Sequence, residues 1–148
     1  MEAIIFCGIQ ATGKSTFYKE HFFRSHVRIS LDLVKTRHRE ERLLEVCLQT
    51  QQSFVVDNTN PAKADRSRYI QAARDHKFKV VGYYFRSGIR EAMERNKERS
   101  GRERIPEVGL KGTFSRLELP DLSEGFDELY YVSIENNRFT VKPWEHEI

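Results

Sequence analysis

Short apolar runs alternate with longer amphipathic stretches along this chain of 148 residues. The apolar runs have the length and the β-branched or aromatic content that are typical of buried strands. We predict strands at Glu2–Cys7, Val27–Ser30, Phe54–Asp57, Phe78–Phe85 and Glu128–Ile134, with the tail after Asn136 as one further edge.

The stretches between these runs have the spacing of helices. The helices predicted in this way are Lys14–Phe23, Asp32 to about Gln51, Asn60 to about Asp75, Gly88–Arg99 and Pro106 to about Arg116. The third has clear start signals, because Asn60 is a favoured N-cap and Pro61 suits the first helical position. Ser100–Ile105 is polar and contains glycine, which predicts a mobile loop.

Strands that alternate with helices predict an α/β fold, with a mostly parallel sheet of about five strands and helices on both faces. The site of such a sheet lies at the carboxyl ends of its strands, here after Cys7, Ile29, Val56 and Phe85. The length and the absence of repeats or linkers predict a single domain, residues 1–148.

Composition narrows the class of protein only modestly. The net charge of +3 is compatible with a nucleic-acid ligand but does not require one. No apolar run approaches the ~20 residues of a membrane span, and the start of the chain lacks the basic region of a signal peptide. Cys7 and Cys47 fit no metal spacing and are expected to be reduced, buried thiols. We therefore expect a cytoplasmic protein without a membrane partner, with the nucleus as an alternative compartment.

A phosphate-binding loop follows the first predicted strand. Residues Gly8, Ile9, Gln10, Ala11, Thr12, Gly13, Lys14 and Ser15 match the pattern G-x-x-x-x-G-K-[ST]. Glycines let the backbone curl around an anion, and the following helix adds its positive N-terminal end. We expect Lys14 to contact the β- and γ-phosphates and Ser15 to bind Mg²⁺. Gln10 and Ala11 stand where Pro and Gly are common in kinases, but the pattern does not require those residues.

Carboxylates and short polar side chains follow the next strands. Asp32 could take the proton of an attacking hydroxyl, or it could only cap the following helix. Asp57 could hold a water of Mg²⁺, while Thr59 and Asn60 could contact an acceptor or simply form a turn and a cap. The absence of an N-K-x-D signature counts against a GTPase.

Arginines concentrate in the segment before Pro106, at Arg95, Arg99, Arg102 and Arg104. Arg95 and Arg99 are four residues apart and would share one helix face. Guanidinium groups suit phosphate oxygens, so we predict a lid over ATP at about residues 95–106. The alternative is a solvated helix with weak ion pairs to its glutamates.

These motifs form an ordered set that covers nearly the whole chain: Gly8–Thr16, Ser30-Leu31-Asp32, Val55–Pro61, Arg66, Arg95-Asn96-x-x-Arg99, Ile105-Pro106 and Glu124-Gly125-Phe126. The set resembles the kinase domain of polynucleotide 5′-kinases, both the phage type and the animal polynucleotide kinase-phosphatase. Motifs for a phosphatase or a ligase are absent from the sequence, so in end healing those activities would lie on other chains.

The resemblance implies ATP as donor, Mg²⁺ as cofactor and a 5′-hydroxyl end of DNA or RNA as acceptor. It implies that the catalytic residues are Asp32 as general base, Lys14 and Arg99. The residues it implies for ATP are Gly8 through Thr16, with Arg95 and Arg99. Those it implies for the acceptor are Asp32, Lys35, Asp57, Thr59 and Asn60. Those it implies for the metal are Ser15 and Asp57. Lys35 stands where the phage type has an arginine for the acceptor's 3′-phosphate.

The functional hypothesis is therefore an ATP- and Mg²⁺-dependent kinase of polynucleotide 5′-hydroxyl ends. One alternative is a P-loop kinase whose acceptor is a small molecule, such as a nucleoside, a sugar or an antibiotic. The other is a nucleotide-binding regulator that has no acceptor.

Overall fold

The computed structural model describes residues 1–101 and 104–145. Its strands are β1 Glu2–Cys7, β2 Val27–Ile29, β3 Phe54–Val56, β4 Lys79–Phe85, β5 Glu128–Glu135 and β6 Arg138–Pro143. They form one sheet in the order β2-β3-β1-β4-β5-β6, in which only β6 runs antiparallel to its neighbour. The mostly parallel α/β fold is thus confirmed, with six strands in the described residues instead of about five, since the tail after Asn136 forms the edge strand.

The helices in the described residues are α1 Lys14–His21, α2 Leu31–Val34, α3 Arg37–Thr50, α4 Lys63–Asp75, α5 Ile89–Glu98 and α6 Glu107–Ser115. A short 3-10 helix follows at Leu122–Glu124. Among the residues that the structure describes, no helix has both the length and the apolar character that a membrane crossing needs.

The single helix predicted from Asp32 to about Gln51 is wrong, because the helix is interrupted at Lys35 and Thr36. Lys35 has a φ of 73° and closes α2 with its N–H on the Leu31 carbonyl oxygen, at 2.8 Å. Thr36 then caps α3, and its hydroxyl accepts a hydrogen bond from the Arg39 N–H at 3.2 Å. The break leaves Asp32 on a separate single turn of helix.

The predicted start of the next helix is also wrong. Helix α4 begins at Lys63, after Ala62, so Asn60 does not cap it. Asn60 has a φ of 44°, and its buried side chain donates to the Phe6 carbonyl oxygen at 2.8 Å. The Asn60 side chain therefore bonds to Phe6 of β1 instead of capping the helix.

The core lies on both faces of the sheet, since alternate residues of β1 point to opposite sides. Ile5 belongs to the cluster that also contains Tyr69 of α4, while Phe6 packs with Phe17 of α1 on the other face. Burial of each such side chain contributes about 1.5–3 kcal/mol to stability. The packing confirms helices on both faces and fixes the carboxyl end of β1.

Candidate active site

The loop between β1 and α1 has the backbone of a phosphate-binding loop. Gly8 and Gly13 have positive φ values of 155° and 94°. A Cβ on Gly8 would lie 3.0 Å from the Phe85 carbonyl oxygen, and one on Gly13 would lie 2.8 Å from the Phe139 ring. Ala11 has a left-handed φ of 63°, which costs roughly 1–2 kcal/mol for a residue that carries a Cβ. This strain falls where many kinases have glycine.

Neighbouring strands hold the loop from both sides of β1. The Gly8 N–H donates to the Thr59 carbonyl oxygen at 2.9 Å, on the β3 side. The Ile9 N–H donates to the Ser87 hydroxyl at 3.1 Å, on the β4 side. Ser87 belongs to no motif that we recognised in the sequence, although the strand-end rule points to the residues after Phe85.

Lys14 lies inside the loop and is buried. Its ammonium donates to the carbonyl oxygens of Gly8 and Ile9, at 2.9 and 2.6 Å. These bonds keep the charge at the centre of the loop, where a phosphate would need a cation.

The predicted catalytic charges converge on the Lys14 ammonium. Burial lowers the pKa of Lys14 to about 8. The negative charges of Asp57 and Asp32 raise that pKa, whereas the positive charge of Arg99 lowers it. Charged residues from the ends of β2 and β3 and from the predicted lid thus act on one ammonium group of the phosphate loop.

Ser15 and Asp57 form the candidate metal pair. The Ser15 hydroxyl donates to Asp57 Oδ2 at 3.0 Å, and the Asp57 side chain is only 2% exposed. A hydroxyl and a carboxylate are the oxygen ligands that Mg²⁺ prefers. The donor set therefore fits the predicted metal.

Arg28 of β2 lies at the same pair and was missed by the sequence analysis. Its Nε–H donates to Asp57 Oδ2 at 2.8 Å, and a second N–H donates to the Ser15 hydroxyl at 3.1 Å. A lone arginine in a short strand belongs to no motif, so no local signal could have identified it.

The residues predicted for the acceptor lie on α2 and in the segment after β3. Asp32 and Lys35 are both exposed, in the first turn and at the end of α2. Thr59 is partly exposed. Asn60 lies apart from them, because its buried side chain holds β1, and it is better described as a structural residue.

Two arginines lie close to this segment. Arg37 and Arg68 contact Glu40 Oε1 at 3.0 and 3.4 Å, and their side chains remain 53% and 44% exposed. Glu40 in turn accepts from the Asn58 side chain. The predicted acceptor side of the site therefore has a cationic border.

Arg66 and Glu124, which belong to two separate motifs of the sequence, form one buried ion pair. Its buried guanidinium donates two hydrogen bonds to the Glu124 carboxylate, at 2.9 and 3.1 Å. It also donates to the carbonyl oxygens of Asn60 and Pro61, at 2.9 and 3.1 Å. The pair fixes the segment after β3 against the 3-10 helix.

The described part of the predicted lid lies against the phosphate loop. An Arg95 N–H is 3.5 Å from the Ala11 carbonyl oxygen. Asn96 is buried and its side-chain oxygen accepts from the Ile105 N–H at 2.7 Å, which ties the two ends of the lid together. Helix α5 ends at Glu98 and Arg99 is extended, so the predicted helix face shared by Arg95 and Arg99 is wrong. Arg102 lies outside the described residues.

A cavity of about 650 Å³ opens beside the loop, between the lid and the turn that joins β5 to β6. The residues that line it include Thr16, Arg95, Arg99, Ile134, Asn137 and Phe139. The sequence analysis missed the contribution of this turn, since Asn136 and Asn137 carry the signal of a tight turn and no ligand signature.

The chain is similar in sequence to two polynucleotide phosphatase/kinases. The bifunctional polynucleotide phosphatase/kinase of Schizosaccharomyces pombe is 26% identical in an alignment of 129 positions that covers 84% of this chain and 32% of that protein. The putative bifunctional polynucleotide phosphatase/kinase of Acanthamoeba polyphaga mimivirus is 32% identical over 81 residues, 54% of this chain and 19% of that one. The resemblance stated from the motifs is confirmed, and the chain spans about a third or less of these relatives.

Solved structures share the architecture at low sequence identity. Chaetomium thermophilum Kti12, solved with ADP-AlF3, has a TM-score of 0.67 and 16% identity, with 88% of each chain covered. A gluconokinase from Sinorhizobium meliloti 1021 has a TM-score of 0.62 and 16% identity, with 89% of this chain and 82% of that one covered. At such identities the likeness concerns the fold.

An AAA domain family matches residues 35–120. The match begins after the phosphate loop and Asp32, so the roles of those residues depend on the motif and the geometry. It includes the segment after β3 and the lid, and it extends over more than half of the chain. The chain thus belongs to the AAA domain family, with the nucleotide-binding fold of the P-loop kinases.

Proposed function

We propose that this chain transfers the γ-phosphoryl group of ATP to a 5′-hydroxyl end of DNA or RNA. The observation that carries the proposal is that the segment after β3 joins the phosphate loop to the turn of Asp32. Its Asp57 accepts from the Ser15 hydroxyl at 3.0 Å, and its Asn58 holds the residue before Asp32 at 2.9 Å. A kinase needs a cation for the phosphates and a carboxylate for the hydroxyl within one site. The sequence similarity to polynucleotide phosphatase/kinases supports this class of acceptor.

The donor would bind on the side of the lid. Lys14 and the N-terminus of α1 would hold the phosphates, and Arg95 and Arg99 would contact them from above. The cavity beside the loop has room for the nucleoside, with a volume of about 650 Å³. Ser15 and Asp57 would hold Mg²⁺, which when bound neutralises charge on the phosphate oxygens.

The acceptor would bind on the side of α2. Asp32 orients the 5′-hydroxyl and takes its proton while the oxygen forms a bond to the γ-phosphorus and the bond to the β-phosphate oxygen breaks. Lys14 and Arg99 stabilise the charge that develops on the transferred group, and the bound geometry supplies much of the rate.

Three cations favour a polymer as acceptor. Lys35, Arg37 and Arg68 are exposed or half-exposed close to the turn that carries Asp32. Positive groups that are not used by the donor suit the phosphates of a nucleic-acid strand. Thr59, which is partly exposed, would contribute a hydroxyl to the acceptor.

The experiment is transfer of labelled γ-phosphate from ATP to short 5′-hydroxyl oligonucleotides, with DNA and RNA in parallel. Removal of a general base costs about 10²–10⁴-fold in rate, so we expect Asp32→Asn to lose transfer while ATP still binds. Asp75→Asn, on the exposed end of α4, is the matched control and should transfer normally.

Near-normal turnover by Asp32→Asn would refute the assignment of the base. Intact ATP binding without any labelling of the oligonucleotides by the unmodified protein would refute the acceptor class. In that case a screen of small hydroxyl compounds would follow, together with a test of ATP turnover in the absence of any acceptor.

A further inference from the structure

Two hydrogen bonds connect a buried carboxylate to the turn that carries Asp32. The Asn58 side-chain N–H donates to Glu40 Oε2 at 2.9 Å, and Glu40 is only 1% exposed. The Asn58 side-chain oxygen accepts from the Leu31 backbone N–H, also at 2.9 Å. Leu31 directly precedes Asp32, so the Glu40–Asn58 link ends one peptide unit from the proposed base.

The turn that carries Asp32 depends on outside support. Helix α2 has four residues, and helices that short are not stable by themselves. Its N-cap, Ser30, makes no capping bond, and the Ser30 hydroxyl is buried without a hydrogen-bond partner among the described residues. Asn58, from the segment after β3, supports the turn from outside by accepting the N–H of Leu31, the first residue of α2.

Glu40 decides which way the Asn58 amide points. An ionised carboxylate can only accept hydrogen bonds, so the Asn58 N–H must face Glu40 and the Asn58 oxygen must face Leu31. The Glu40 carboxylate is itself held by the Tyr69 hydroxyl at 2.7 Å and by Arg37 at 3.0 Å. The orientation of the amide is therefore fixed from the interior of the protein.

We propose that Asn58 and Glu40 are positioning residues, which hold the turn of α2 so that the Asp32 carboxylate meets the acceptor hydroxyl. The inference rests on the proposed function, since it assigns these residues a role in the same reaction. Neither side chain touches the reacting atoms. Both act through the Leu31 N–H.

The first test uses single substitutions that keep size but remove the link. Asn58→Leu cannot make either bond. In Glu40→Gln the one remaining oxygen accepts from Arg37 and Tyr69, so an amide N–H faces the Asn58 N–H, which needs an acceptor. We expect kcat for phosphate transfer to fall on the order of tenfold or more in both, because small misplacements of a reacting group are costly. The KM for ATP should change less than about twofold, because the donor side does not use this link.

A second test restores the link with its polarity reversed. Glu40→Gln combined with Asn58→Asp places a donor at position 40 and a carboxylate at position 58, which can accept from both that donor and the Leu31 N–H. We expect the double variant to recover most of the kcat that each single variant loses. Failure of the double variant to exceed the single variants would overturn the proposal.

A readout without catalysis separates this inference from the proposed function. Hydrogen exchange at the Leu31 amide should be slow in the unmodified protein, faster in Asn58→Leu and Glu40→Gln, and slow again in the double variant. Cys47→Ala, a cavity substitution at a buried position in the C-terminal half of α3, is the control for a general loss of stability. It should lower the melting temperature without changing kcat or the exchange at Leu31.

The outcomes are distinct. Restored protection at Leu31 without transfer to any oligonucleotide, even by the unmodified protein, would overturn the proposed function and with it the role in that reaction. Normal kcat in Asn58→Leu, in a protein that does transfer phosphate, would overturn only the positioning role. An equal loss of kcat in Cys47→Ala and Asn58→Leu would overturn the positioning role, because the Glu40–Asn58 link would then contribute only to stability.

Discussion

Lys14 combines a buried position with a charge that the phosphates require. Burial lowers its pKa to about 8 from an ordinary value of 10.5. The ammonium of the nucleotide-free protein therefore loses its proton as the pH rises through about 8, well before an exposed lysine would. Bound phosphates favour the charged form and raise the pKa again.

ATP binding should consequently take up a proton at mildly alkaline pH. At about pH 8 roughly half a proton should be bound per ATP, and the affinity should fall as the pH rises further. Calorimetry in two buffers of different ionisation enthalpy measures this uptake. Lys14→Met should bind ATP more weakly and without the uptake, and an unmodified protein that takes up no proton would contradict the assigned pKa.

Arg28 neutralises Asp57, which is nearly inaccessible to solvent. Its guanidinium lies 2.8 Å from the Asp57 carboxylate and donates to the Ser15 hydroxyl as well. The same two side chains are the candidate ligands of Mg²⁺. Mg²⁺ and Arg28 would therefore both neutralise the Asp57 carboxylate.

Arg28→Gln should lower the melting temperature of the nucleotide-free protein by roughly 5 °C, because Asp57 loses its cationic partner. Mg²⁺ should raise the melting temperature of this variant more than that of the unmodified protein. Thermal unfolding with and without Mg²⁺ measures both effects. Arg42→Gln, which removes an exposed ion pair to Glu45, is the control and should change neither. An equal response to Mg²⁺ in all three proteins would exclude the proposed metal pair.

The segment after β3 is the element that joins the two halves of the site. The Asp57 side chain contacts Ser15, the Asn58 side chain holds Leu31, and the Thr59 carbonyl oxygen holds the phosphate loop. Arg66 fixes the end of this segment through the carbonyl oxygens of residues 60 and 61. Glu124 partners the Arg66 guanidinium, which is fully buried.

Glu124→Ala should therefore be strongly destabilising, because it leaves a buried guanidinium without its carboxylate. The expected loss is roughly 3 kcal/mol of unfolding free energy, measured by urea denaturation. Glu45→Ala removes the exposed ion pair on α3 and should cost less than about 1 kcal/mol. Similar losses in the two variants would mean that the buried pair contributes no more than a surface pair.

At the scale of the whole molecule, the sheet separates the two surfaces that we propose for the donor and the acceptor. The lid and the β5–β6 turn border the cavity on one side of the phosphate loop, whereas β2 and α2 lie toward the opposite edge of the sheet. The overall charge of +3 is modest. Any preference for a polymer must therefore come from local cations on the acceptor side.

Salt should separate a polynucleotide acceptor from a small one. We assume that Lys35, Arg37 and Arg68 each contact one phosphate. The logarithm of the affinity for a single strand should then fall with the logarithm of the salt concentration, with a slope of about −2. Oligonucleotide KM between about 50 and 200 mM KCl measures this slope. Arg37→Gln should reduce its size by about 0.7, whereas Lys142→Gln, on the opposite edge strand, should leave it unchanged. A KM that is independent of salt would favour a small-molecule acceptor.

The sequence by itself determined the features that are local in the chain. Hydrophobic periodicity placed five strands close to their observed bounds, and the G-x-x-x-x-G-K-[ST] pattern placed the phosphate loop. The rule that sites form at strand ends led to Asp32 and Asp57. The break at Lys35 and Thr36 was missed, because residues 35–42 are all polar and give no apolar periodicity that could place a helix boundary.

Only the tertiary structure decided which side chains meet. Arg28 reaches Asp57, Glu40 reaches Asn58, and Asn60 turns inward to Phe6 because the sheet order brings β2 beside β3 and β3 beside β1. Those partners lie 18 to 54 residues apart in the chain. Local patterns report the periodicity and the caps of single elements, whereas pairings over such distances depend on the packing of the whole sheet.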